Sequence, residues 1–100
     1  MGHEFCGRVA SAPEGSNLKA GQAVVVDPRL YCKSCSRCSA TSTNVCRDWG
    51  FLGLSGSGGG LSGSVAVDPS MCHPLPDSVP LELAALVEPF DCCLACCEYL

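Results

Sequence analysis

Four cysteines in sixteen residues, "YCKSCSRCSATSTNVC" from Tyr31 to Cys46, form the densest group of reactive side chains in the sequence. Cys32, Cys35, Cys38 and Cys46 follow the pattern Cys-x2-Cys-x2-Cys-x7-Cys. Gaps of two residues let successive sulfurs converge on one centre where the backbone turns tightly, whereas disulfides between such near neighbours would be strained. A tetrahedral Zn²⁺ asks only for four thiolates at about 2.3 Å, so a surface lobe can fold around it. Lys33, Arg37 and Arg47 are interleaved with the ligands, where they offset the surplus negative charge of a four-thiolate zinc site and lower the thiol pKa values. An iron–sulfur cluster is the nearest rival. Its bacterial motif closes after three residues with Cys-Pro, while here the gap is seven and Arg47 follows. With all four positions thiolate, no coordination position is left open, so the expected zinc is structural.

The elements that must hold this lobe are short. "EFCGRVASA" and "AVVVD" read as two strands separated by the turn-forming "PEGSNLKAG", and residues 28–50 as the cysteine lobe. "GLSGSGGGLSGS", 53–64, has the composition of a flexible linker. "VAV" at 65–67 reads as a strand, and "DPSMCHPLPDSVP" as proline-punctuated loop. "PLELAALVE" is the one clear helix, with Pro80 in its first turn and Ser78 or Asp77 as its cap. The expected fold is mainly β with a short C-terminal helix.

One hundred residues make at most one domain, and a chain of that size buries only about two thirds of its unfolded surface. Ten cysteines in so short a chain are also the composition of a secreted disulfide scaffold. Against that, "MGHEFCGRV" carries neither a basic n-region nor an apolar h-region, so the expected location is cytoplasmic. Ten acidic against six basic residues, with no basic stripe, argue against nucleic acid and anionic membrane surfaces, and no apolar run reaches the length of a span.

"GHEFCGRV" at 2–9, the four-cysteine lobe, "GFLGLSGSGGGLS" at 50–62 and "HPLPDSVPLELAALVEP" at 73–89, in that order, resemble the zinc-dependent medium-chain alcohol dehydrogenases, within them the polyol and butanediol dehydrogenase branch. The resemblance covers nearly all of the chain up to Pro89. It implies a partial GroES-like catalytic domain over 1–89, with the structural zinc lobe at about 28–50. In the complete enzyme a Rossmann domain binds NAD or NADP, the substrate is a small alcohol or diol, and the assembly is a homo-oligomer. His3 is similar to the histidine ligand of the catalytic zinc, Glu88 to a further glutamate ligand, and Glu4 to the glutamate at or beside that metal. On a regular strand His3 and Glu4 would point to opposite faces, so Glu4 is expected to reach the metal after a bend or through water.

The sequence also departs from the family. The catalytic cysteine that would precede Gly-His-Glu is absent, which leaves a depleted ligand set. No Gly-x-Gly-x-x-Gly stands between a strand and a helix, so no cofactor-binding residues are assigned. The segment 90–100, "FDCCLACCEYL", is divergent. Its codons in the adjacent frame can read Leu-Thr-Val-Ala-Trp-His-Ala-Val, the family's continuation, so it is read as the product of a one-nucleotide frameshift after Pro89. A single metal shared by its four cysteines is not expected, because neighbours on a helix point about 100° apart. The expected function is therefore that of a fragment of a zinc-dependent, NAD(P)-linked alcohol or polyol dehydrogenase, inactive by itself and poorly soluble. The alternatives are a small zinc-binding structural module without catalysis, and a disulfide scaffold.

Overall fold

The computed structural model describes residues 1–55 and 58–97. In chain order it has strands β1 (Cys6–Arg8), β2 (Ala23–Val26), β3 (Arg29–Leu30), β4 (Gly50–Phe51) and β5 (Cys72–Pro74), with helices α1 (Ser36–Ser39), α2 (Leu81–Ala84) and α3 (Val87–Cys97). They fall into two compact units. One comprises Met1–His3 with Pro28–Val65, the other Glu4–Asp27 with the chain from Ala66 onward.

The second unit is built on a three-stranded antiparallel sheet in the order β1-β2-β5. Cys6 pairs with Val25 and Gly7 with Val24 on one edge of β2, and Val25 pairs with His73 and Val26 with Cys72 on the other. Strand β2 is three valines in a row, and Val24, Val25 and Val26 are all buried. A strand covered on both faces reads as a continuous apolar run of this kind. The central place of β2 also explains one departure from expectation. "CHP" inside the expected proline loop is strand β5, introduced by a single 3-10 turn at Pro69–Met71 that Asp68 caps by accepting the Ser70 N–H at 2.9 Å. "VAV" at 65–67, expected as a strand, pairs with neither sheet.

The expected single helix "PLELAALVE" is divided. Helix α2 starts after Pro80, with no side-chain cap from Ser78 or Asp77, and ends at Ala84, with Ala85 as its C-cap. Helix α3 starts at Val87, which places Pro89 in its first turn, where an N–H has no intrahelical partner to lose. One helix through 81–89 would have put that proline in its interior, against the carbonyl of Ala85. The cysteine-rich segment continues α3 through Cys97, and Glu98, Tyr99 and Leu100 lie outside the described residues. Cys6 of β1 donates its thiol hydrogen to the carbonyl of Leu81 at 2.9 Å, tying α2 to the sheet, and Ala84 is wholly buried beside it.

In the first unit β3 and β4 pair antiparallel, Arg29 with Phe51 and Leu30 with Gly50. The cysteine lobe is the excursion between them. The glycine-rich run is docked rather than free where it is described: the Gly60 N–H donates to the carbonyl of Gly2 at 2.8 Å, and the Leu61 N–H to that of Met1 at 3.0 Å. Gly53 and Gly59 have φ of 88° and 130°, and a Cβ on either would overlap the backbone of Gly2 or Met1. Gly56 and Ser57, in the middle of the expected linker, lie outside the described residues.

Candidate metal centre

Strand β3 delivers the chain to Cys32, which opens a tight turn whose second residue, Lys33, has a φ of 61°. That left-handed residue helps turn a following amide back toward sulfur, and the amide of Cys32 itself points at another sulfur. The Cys35 N–H donates to Cys32 Sγ at 3.3 Å, and the Cys32 N–H to Cys46 Sγ at 3.4 Å. Cys35 then stands at the N-terminal end of α1, Cys38 lies on that helix, and the 3-10 turn Thr43–Val45 brings up Cys46, which is buried.

The four sulfurs form a closed circuit. Cys32–Cys38 is 3.9 Å, Cys38–Cys35 3.6 Å, Cys35–Cys46 3.9 Å and Cys46–Cys32 3.6 Å. All four lie within 4.8 Å of one another. Four sulfurs around zinc at about 2.3 Å stand about 3.8 Å apart along a tetrahedron's edge. The donor set and its spacing therefore fit Zn²⁺, while separations of this size are far longer than the bond of about 2.05 Å in a disulfide.

The electrostatics of the metal-free cage are uneven. The Cys38 amide, helped by that of Arg47, stabilises the Cys35 thiolate and brings its pKa down to about 6. Amides of Ser34 and Cys35 likewise lower Cys32. Burial, then the neighbouring Cys35 and Cys46 sulfurs, push Cys38 up to about 12. Near neutral pH the cage therefore holds its first thiolate and keeps one thiol protonated, because packed sulfurs cannot all carry charge until a cation joins them.

The other expected site residues are placed as follows. His3 belongs to the first unit, where its ring packs edge-to-face on Phe51 at 5.5 Å, and Phe51 packs in turn on Trp49 at 4.8 Å. Glu4 and Glu88 belong to the second, and their carboxylates come within 4.8 Å of each other although 84 positions separate them. Glu88 sits in the first turn of α3 and accepts a long hydrogen bond, 3.8 Å, from the thiol of Cys92. Two carboxylates this close could share a cation. Three supporting features escaped the sequence reading: the positive φ of Lys33, the Phe51 ring beneath His3, and the close approach of Gly53 and Gly59 to residues 1 and 2. An aromatic residue just ahead of a glycine run was the only signal for them.

A small antiparallel β unit, a four-thiol lobe and a carboxylate pair brought together from the two ends of the chain define the class: a portion of a zinc-dependent medium-chain dehydrogenase. The sequence profile of the alcohol dehydrogenase GroES-like domain matches residues 1–77, and the chain belongs to that family. Among its relatives, (R,R)-butanediol dehydrogenase of Neisseria gonorrhoeae is 42% identical over 92 residues, covering 91% of this chain and 26% of the relative. The crystal structure of 2R,3R-butanediol dehydrogenase from Bacillus subtilis superposes with a TM-score of 0.75 at 42% identity, over 89% of this chain and 25% of that one. A candidate zinc-binding dehydrogenase of Sinorhizobium meliloti, bound to NADP, gives 0.81 at 30% identity, over 92% and 27%. The chain thus spans about a quarter of the length of these relatives. Among the described residues no helix is long and apolar enough to cross a membrane.

Proposed function

We propose that these residues are part of the catalytic domain of a zinc-dependent, NAD(P)-linked dehydrogenase that oxidises a small alcohol or vicinal diol, in the cytoplasm and as a homo-oligomer when complete. Residues 1–89 are the partial GroES-like domain, with the zinc lobe at about 28–50, and 90–100 are the divergent, frameshifted tail. Cys32, Cys35, Cys38 and Cys46 hold a structural zinc, and their tetrahedral sulfur spacing is the observation that carries the reading.

His3, Glu88 and Glu4 are assigned to the catalytic metal. The close approach of the Glu4 and Glu88 carboxylates supports this, as does the single peptide bond that joins His3 to Glu4. A zinc bound there supplies Lewis acidity that polarises the alcohol oxygen of the substrate. His3 would supply an imidazole nitrogen, its ring packed edge-to-face on Phe51. Glu88, in the first turn of a helix, would supply a carboxylate oxygen, and Glu4 would compensate the metal's charge. An imidazole and carboxylate oxygens are harder donors than the four thiolates of the lobe, so this set is expected to bind zinc more weakly.

Metal analysis of the purified chain tests the assignment. One tightly held zinc should vanish in Cys35→Ser, and a second, weaker zinc should vanish in His3→Ala and in Glu88→Gln. A single zinc indifferent to His3→Ala and Glu88→Gln would instead identify a zinc-binding module with no catalytic remnant. These 100 residues alone are expected to show no NAD-dependent turnover of 2,3-butanediol, and measurable hydride transfer by them would overturn that expectation.

A further inference from the structure

Helix α3 carries four thiols that the dehydrogenase reading does not use. Cys92, Cys93, Cys96 and Cys97 are all exposed and all free. On an α-helix, residues four apart are rotated by only about 40° and lie one turn above each other. Cys92 and Cys96 therefore form one stacked pair, Cys93 and Cys97 a second, and the two pairs are turned about 100° from one another. Cys92 donates to the Glu88 carboxylate at 3.8 Å on its N-terminal side, so the Glu88–Cys92–Cys96 column runs along one line of the helix.

The spacing selects what can bridge each pair. Cβ atoms four residues apart on a helix are about 5–6 Å from each other. A disulfide needs about 3.5–4.5 Å, so neither pair closes on itself while the helix is intact. One atom inserted between the sulfurs removes that mismatch. Tetrahedral zinc is poorly served, because each pair offers two thiolates rather than four and the other pair faces elsewhere. A soft centre that takes two thiolates and keeps another substituent is well served, because thiolate is the ligand such centres select.

We propose that α3 is a double dithiol site for monosubstituted trivalent arsenicals, one at Cys92/Cys96 and one at Cys93/Cys97. The reaction is ligand exchange without redox change. In R–As(OH)₂ two As–O bonds break and two As–S bonds form, and each thiol proton leaves with a hydroxide as water. The second bond closes intramolecularly, which makes a stacked pair bind far more tightly than a single thiol. The inference is independent of the dehydrogenase assignment, since it rests only on exposed residues of one helix.

The test is titration of the zinc-loaded 100-residue chain with phenylarsine oxide, in the presence of a phosphine reductant, followed by intact mass and zinc analysis. The expected result is two phenylarsenic groups per chain with zinc retained. Cys96→Ser should take up one group, and the double variant Cys92→Ser/Cys93→Ser none at the same concentration, with apparent affinity at least 100-fold weaker. Zinc content in each variant reports that the chain still folds. Failure of the wild-type chain to bind, uptake unchanged in the double variant, or uptake matched by loss of zinc from the lobe would each overturn the proposal.

Discussion

Lys33 has a cationic side chain but adopts a left-handed backbone, with φ at 61° between two cysteines. A non-glycine residue in that region costs roughly 1–2 kcal/mol. It is held there by the amide that its turn helps aim at sulfur. Lys33→Gly is therefore expected to keep zinc affinity nearly unchanged, whereas Lys33→Val, β-branched and poorly suited to positive φ, should weaken zinc binding about tenfold or more. Competition with a chromophoric chelator distinguishes the two, and equal affinities would show that the left-handed turn is not required. Cys6 makes a different prediction. Burial, with a contribution from Glu82, raises its thiol above the usual range. A raised folded pKa means stability that is present while the unfolded thiol is still protonated and is lost as pH rises through the folded value. The chain should therefore weaken as pH climbs past the ordinary thiol range. Iodoacetamide should also label Cys6 more slowly at pH 8 in the native chain than in denaturant, and equal rates would contradict its protected environment.

At the scale of elements, the glycine-rich run is the instructive case. Its composition is that of a linker, yet Gly53 and Gly59 lie directly on the backbone of residues 1 and 2, where no side chain fits. Gly53→Ala combines a disfavoured positive φ with overlap on the Gly2 carbonyl. It is expected to destabilise the first unit by more than about 1 kcal/mol and to release Met1–His3. Amide exchange at Leu61, which donates to Met1, measures that release. Protection equal to the parent chain would mean that the run can yield. The division between α2 and α3 was also legible in principle, since Pro89 cannot stand inside a helix begun at Leu81. Strand β5 was not, because "CHP" has no alternating pattern and becomes a strand only through the free edge of β2.

For the whole molecule, the burial is thin. Val24, Val25, Val26 and Ala84 make the core of one unit, whereas Cys46 and Leu52 are the only hydrophobic residues counted as buried in the other, among those described. With so little core, the proposed zinc would supply most of the lobe's stability, since structural zinc contributes about 10–16 kcal/mol of apparent binding energy in small domains. Removing zinc with a chelator should abolish amide protection within Pro28–Val65 while leaving strand β2 protected. Uniform loss across both units, or no loss at all, would refute that division. Leu83 of α2, Leu86 in the turn after it, and Phe90 and Leu94 of α3 are exposed, a concentration of apolar surface consistent with poor solubility of this chain.

The sequence by itself determined the family and the gathering of the four thiols. Cys32, Cys35 and Cys38 are close enough along the chain for local turns to bring them together, and such chelation needs no knowledge of the rest of the fold. It also determined the buried β2, because three consecutive valines have few other places to go. The family resemblance implied that Glu4 and Glu88 share one site, but what brings them together is tertiary: β1 pairs with β2, and the Cys6 thiol holds α2 against that sheet. The tertiary structure alone decided that a glycine run reading as linker is a packing surface. Close backbone approach leaves no trace in composition beyond the glycines themselves.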